Sequence, residues 1–165
     1  GEVLATRDGT TPIDTTAMRT MSSFHLLPYR DVPTRETLIE AARSDDVRRR
    51  VWAALMLSKL DRGPLPQACP QEIQLLRFNS ELLAVFLGGE VLSEIGLHLK
   101  EALQPATAMT VAYANGLIAY VPSEETYDLG GYEVEDSYHL FTRPAPFVKE
   151  VESLIVEETQ RLAAT

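Results

Sequence analysis

Two short segments hold the residue types and spacing that could do chemistry. One is Gly88-Gly89-Glu90, in which a carboxylate follows the apolar run Leu82 to Leu87 across two glycines. The other is Asn115-Gly116-Leu117-Ile118-Ala119-Tyr120, which reaches a phenol after a second apolar run, Met109 to Ala114. Glycines let the backbone approach a bound group closely, and a carboxylate leaving a buried strand is a candidate hard-metal ligand or base. Open α/β sheets gather ligands at the carboxyl ends of parallel strands, where both segments are expected. Each residue also has a plainer reading. Glu90 alone suits a helix N-terminus, where the helix dipole favours negative charge. Tyr120 alone suits a half-buried packing position.

Other reactive side chains fall into no working pattern. His25, His98 and His139 form neither HExxH nor HxH, and Glu94 with His98 reads as a surface pair four residues apart on a helix. No serine lies in a GxSxG elbow and no Gly-rich phosphate loop is present. Cys69 is the single cysteine, so the chain has no internal disulfide framework and no CxxC metal pair, and Cys69 reads as an inert thiol. The Arg48-Arg49-Arg50 run beside Asp45 and Asp46 reads as a solvated helix face.

The elements that must position Glu90 and Tyr120 follow from hydrophobic spacing. Ser23 to Tyr29 is expected as a strand, and Asp8-Gly9, Pro12, Pro28 and Pro33 as turn residues. Thr34 is a candidate N-cap for one or two helices that end before Gly63-Pro64, although Thr37 stands where a full capping box has Glu or Gln. Ile73 to Phe78 and Leu82 to Leu87 suggest a hairpin around Asn79-Ser80. The second of these runs lacks polar alternation, which predicts burial on both faces. A helix over 91–104, then the strand Met109 to Ala114, gives a strand–helix–strand crossover joining parallel strands. A long loop is expected from Tyr120 to Tyr138, and an amphipathic helix from Phe147 to Leu162.

Composition narrows the partners. The 165 residues suit one α/β lobe, and the net charge of −9 opposes binding to nucleic acid or to an anionic membrane surface. No apolar run approaches the roughly 18 residues that span a bilayer, and no signal peptide is visible.

From Leu83 to Tyr132 the chain resembles the neutral/alkaline ceramidase family. The resemblance rests on Gly89-Glu90, on Ala114-Asn115-Gly116-Leu117-Ile118-Ala119-Tyr120, on Ser123-Glu124-Glu125-Thr126-Tyr127, and on Gly131-Tyr132-Glu133. It extends more loosely to Leu27-Pro28-Tyr29 and Pro33-Thr34-Arg35-Glu36. The chain departs from the family at Gly88, where Pro is frequent, and after Glu133, where Val134-Glu135-Asp136 replaces a small residue.

The resemblance implies an α/β lobe with a mixed sheet and flanking helices, residues 1–165 forming the C-terminal part of a larger catalytic domain. It implies zinc as cofactor, with Glu90 and Tyr120 as metal ligands beside two histidines from elsewhere. Tyr132, twelve residues beyond Tyr120, would be the catalytic tyrosine. The implied activity is zinc-dependent hydrolysis of an N-acyl, lipid-like amide in sphingolipid metabolism, by a chain inactive on its own. The implied partners are the N-terminal remainder of the same protein and a lipid amide substrate. A homodimer, or else a continuous apolar patch near the two strand ends, is also expected. The alternative is a non-catalytic binding or assembly module of the same fold.

Overall fold

The computed structural model describes residue 10 and residues 12–165. The expected Asp8-Gly9 turn lies outside the described residues.

Strand β1, Arg19–Pro28, starts four residues before the apolar pattern suggests. Two capped helices follow. In α1, Arg35–Ala41, the N-cap is Thr34, whose Oγ1 accepts from Thr37 N at 3.3 Å. Thr37 closes no capping box: its hydroxyl donates to Thr34 O at 2.9 Å, whereas the acid of a box accepts from the N-cap N–H. In α2, Val47–Leu60, Asp46 Oδ1 accepts from Arg48 N at 2.8 Å. Strand β2, Ala68–Arg77, then pairs antiparallel with β1 from Arg19 opposite Arg77 to Pro28 opposite Ala68. Both strands start before their apolar runs because the ladder continues over Arg19 to Ser22 in β1 and over Ala68 to Glu72 in β2.

The Asn79-Ser80 turn works as its composition suggests: Asn79 Oδ1 accepts from Glu81 N and Leu82 N, each at 2.8 Å. Strand β3, Leu82–Leu87, returns antiparallel to β2. A two-residue strand β4, Glu90–Val91, comes next, so helix α3 spans Ser93–Ala102 and starts two residues later than expected. Strand β5, Thr107–Val111, pairs parallel with β3, which is the expected crossover, shortened because the chain turns away after Val111. The main sheet is therefore ordered β1-β2-β3-β5. The fold is α/β, a mixed sheet with flanking helices.

Residues 120–138 correct the expectation of a long loop. They hold strand β6, Tyr120–Val121, and the short helices α4, Glu124–Leu129, and α5, Tyr132–Glu135, with α6, Ser137–Leu140, overlapping the end. Helices of four to six residues complete too few turns to print a hydrophobic period. The last helix, α7, spans Val151–Ala163 rather than starting at Phe147. Phe147 is withdrawn from it because its ring stacks on Tyr29, centroids 5.3 Å apart.

Helices α3 and α7 lie side by side on one face of the sheet, α3 against β5 and α7 against β1 and β2. Leu27, Ile73, Leu75, Leu83, Val85 and Leu87 meet Ile95, Leu99, Val151 and Ile155 there. A second core gathers Leu38, Ala41, Trp52, Ala53, Met56 and Leu65 around α1 and α2. The opposite sheet face corrects the expectation that β3 is covered on both sides. Its cross-strand row Gln74, Phe86, Val111 runs to an exposed edge, and Phe24 and Leu26 on β1 are 71% and 63% exposed. Replacing Phe24 or Leu26 by Ser should therefore change the unfolding free energy by no more than about 0.5 kcal/mol. Ile73→Ala, on the covered face, should cost about 2–5 kcal/mol. Urea unfolding at dilute concentration compares them; an outer-face cost as large as that of Ile73→Ala would mean the face is covered in solution.

Candidate functional site

Glu90 owes its position to a break in the chain at Gly88-Gly89. Gly89 has φ +99°, and a Cβ there would lie 2.9 Å from Ala119 O. Only glycine takes that conformation and that approach without displacement. The break is bound to the Asn115–Tyr120 segment on both sides: Gly89 N donates to Gly116 O at 2.9 Å and Glu90 N to Ala119 O at 2.8 Å. Tyr113 N donates back to Gly89 O at 2.8 Å, and Ala114 N to Leu87 O at 3.0 Å. Beneath it, the fully buried Gln71 donates Nε2 to Gly88 O at 2.7 Å while its Oε1 meets His25 Nε2, also at 2.7 Å.

The result is a second, two-stranded parallel sheet in which Glu90 is the direct partner of Tyr120 and Val91 of Val121. Paired residues of a ladder project to the same face, so the carboxylate and the phenol are neighbours. The plainer reading of Glu90 as a helix-terminal acid is overturned, since α3 begins at Ser93 and the acid of its first turn is Glu94. Tyr120 is half-buried, as its plainer reading has it, and it also faces Glu90. A hydrogen bond to the Glu90 carboxylate pushes the Tyr120 phenol up to about 12, with desolvation adding to it. Tyr120 is therefore a neutral donor at ordinary pH.

Tyr132 opens α5 and sets its ring 5.8 Å from that of Tyr120, at 79°. Phe141 packs on Tyr120 at 5.9 Å and 77°. All three residues singled out from sequence thus lie together. Sequence reading missed Tyr113, whose phenol is also raised by hydrogen bonding to Glu90. Its signal is a conformation, φ +58°, which residue type does not reveal.

The three histidines are engaged elsewhere. His25 bonds Gln71. His139 packs against Trp52, centroids 4.7 Å apart, and burial holds its pKa below the usual range. His98 corrects the expected surface pair with Glu94: its Nδ1 is bonded to Oε1 of Glu152, a carboxylate 54 residues away and almost wholly buried. Glu152 Oε2 also accepts from Glu124 N at 2.7 Å, so this one carboxylate ties α3, α7 and the start of α4.

The donors at the strand ends are one carboxylate and phenols. Among the described residues no group of three or more histidine, cysteine, aspartate or glutamate side chains is placed to hold a metal. Zinc accepts carboxylate oxygen, and a cation can draw down a phenol, so Glu90 and Tyr120 fit as two donors. Hydrolytic zinc takes about three protein ligands, commonly histidines, so this pair is a partial set.

No family profile matches the chain, and no curated protein sequence matches it. Among solved structures it is similar to the neutral ceramidase from Pseudomonas aeruginosa, with TM-score 0.48 and 16% identity over 88% of this chain and 28% of that one. The chain thus spans little more than a quarter of that protein's length. A likeness this loose assigns no residue a role.

Two outcomes follow from the geometry. Gly89→Ala should lower stability by about 1–3 kcal/mol in urea unfolding, because it forces both strain and a clash with Ala119 O. Wild-type stability would mean the chain reaches Glu90 by another path. For His98, hydrogen bonding to Glu152 raises its pKa. The contribution is then full below the unfolded value of about 6.5 and is lost as pH rises through the higher folded value. His98→Gln should lower the Tm at about pH 6 and converge with wild type by about pH 9; a difference independent of pH would show that the charged pair is not what His98 contributes.

Proposed function

We propose that this chain is the C-terminal portion of a zinc-dependent, ceramidase-like amidohydrolase that cleaves an N-acyl, lipid-like amide bond. The observation that carries the reading is the direct register of Glu90 with Tyr120, with the Tyr132 ring against it. These are the residues that the sequence resemblance singles out, drawn from three separate segments of the chain. In this reading Glu90 supplies the charged donor and Tyr120 an oxygen donor to zinc. Zinc, when bound, polarises an acyl carbonyl or lowers the pKa of a water. Tyr132 donates a hydrogen bond to charge that builds on the amide oxygen, where a fixed donor lowers the barrier without reorganising.

The phenol of Tyr120 keeps its proton and donates a hydrogen bond to Glu90, so binding zinc through that oxygen would displace the bond and favour release of the proton. The remaining ligands and the nucleophile belong to other parts of the protein, and the 165-residue chain alone is expected to turn over no N-acyl amide. The rival reading, a binding or assembly module, draws on the engagement of His25, His98 and His139 away from the site.

Calorimetric titration with zinc chloride separates the two. The chain should bind zinc weakly, with Glu90→Gln and Tyr120→Phe each reducing affinity by at least about tenfold. Zinc bound with equal affinity by wild type and both variants would remove the metal reading and leave the module.

A further inference from the structure

The covered face of β2 breaks its own pattern at one position. Cys69, Ile73 and Leu75 turn inward with Gln71 among them, and all four are buried, Gln71 fully. A buried amide is costly unless its oxygen and its nitrogen both find partners, and both do. Gln71 Nε2 donates to Gly88 O at 2.7 Å. Its Oε1 lies 2.7 Å from Nε2 of His25, the residue directly opposite Gln71 in the β1–β2 register. The direction of this relay follows from chemistry. A backbone carbonyl only accepts, so the amide nitrogen of Gln71 faces Gly88, its oxygen faces His25, and His25 Nε2 carries the proton. Methionine would fill the same slot in the apolar row, but it could neither accept from His25 nor donate to Gly88 O.

The carbonyl so held belongs to the residue at which the chain leaves the main sheet. The β2–β3 ladder ends on a long bond, Gly88 N to Glu72 O at 3.3 Å, and the Gln71 side chain adds a shorter one at the same residue. On the far side of the break the anchors are backbone amides, Gly89 N to Gly116 O and Glu90 N to Ala119 O. The relay thus ties β1 and β2 to the point from which β4 departs. Resting on the reading of Glu90 and Tyr120 as the site pair, we propose that Gln71, with His25 behind it, is a positioning residue: it fixes the Gly88 peptide and with it the register in which Glu90 meets Tyr120.

The test begins on the wild-type 165-residue chain without metal. The nitrogen NMR shifts of neutral His25 should show Nε2 protonated and Nδ1 bare; the opposite tautomer would break the relay and overturn the proposal. Gln71→Met then removes the relay at similar volume. Amide hydrogen exchange at Gly89 and Glu90 should quicken at least about tenfold more than at Ala84 in the middle of β3, because the break opens locally. A residue that merely packs would speed Ala84 as much as those two, and that result, or no change at any of the three, overturns the proposal. Zinc chloride titration connects the relay to the site. Where Glu90→Gln weakens zinc binding, Gln71→Met should weaken it by about tenfold as well, and wild-type affinity in Gln71→Met would also sink the proposal. If Glu90→Gln leaves zinc binding unchanged, the metal reading falls instead, and exchange at Gly89 and Glu90 decides alone whether Gln71 holds the break.

Discussion

The candidate site depends on one backbone constraint, the close passage of Gly88-Gly89 along the Gly116–Ala119 segment. The two amide bonds from Gly89 and Glu90, and the two returned by Tyr113 and Ala114, divert the chain out of the main sheet just after β3 ends. Had β3 continued straight, Glu90 would have stayed beside β5, and Tyr120 would have had no strand to pair with. The diversion lets a carboxylate emerge from a buried strand and meet a phenol thirty residues on in sequence. Its neighbours hold the start of that diversion. β3 is fixed between β2 and β5, and Gln71 pins Gly88 from below.

A second group of contacts joins the site to the rest of the lobe. Arg143 Nε donates to Ile118 O at 2.6 Å, just ahead of Tyr120, and Arg143 O accepts from Trp52 Nε1 at 2.7 Å. The segment that ends at Tyr120 is thereby tied to the core around α1 and α2. On the other side the buried Glu152 links α3, which begins after β4, to α4, which begins after β6. The two halves of the ladder are thus braced by the same carboxylate at their distal ends. Burying a carboxylate is costly unless its oxygens are satisfied, and both are.

Much of this was legible in residue order where the physics is local. Thr34 and Asn79 act through side-chain bonds to backbone a few residues away, and the β3-α3-β5 crossover follows from apolar spacing and chain length. Glu90, Tyr120 and Tyr132 were legible as candidates by resemblance, and their juxtaposition is a property of the fold. What escaped has a non-local or conformational cause. Helices α4 to α6 are too short for a period. His98 finds its partner 54 residues away rather than at Glu94, and Tyr113 is marked by a dihedral angle that no residue type announces.

Trp52 is the chain's one tryptophan, and it lies in the smaller core at the seam with Arg143, against Tyr138 and His139. Its emission is therefore an optical label for that seam and not for the sheet. Quenching by a charged imidazole beside the indole would follow the protonation of His139, whose burial keeps it neutral to lower pH than usual. Far-ultraviolet dichroism sums over all the helices and strands. A change in Trp52 emission that precedes the loss of dichroism reports that this seam opens before the bulk of the secondary structure is lost.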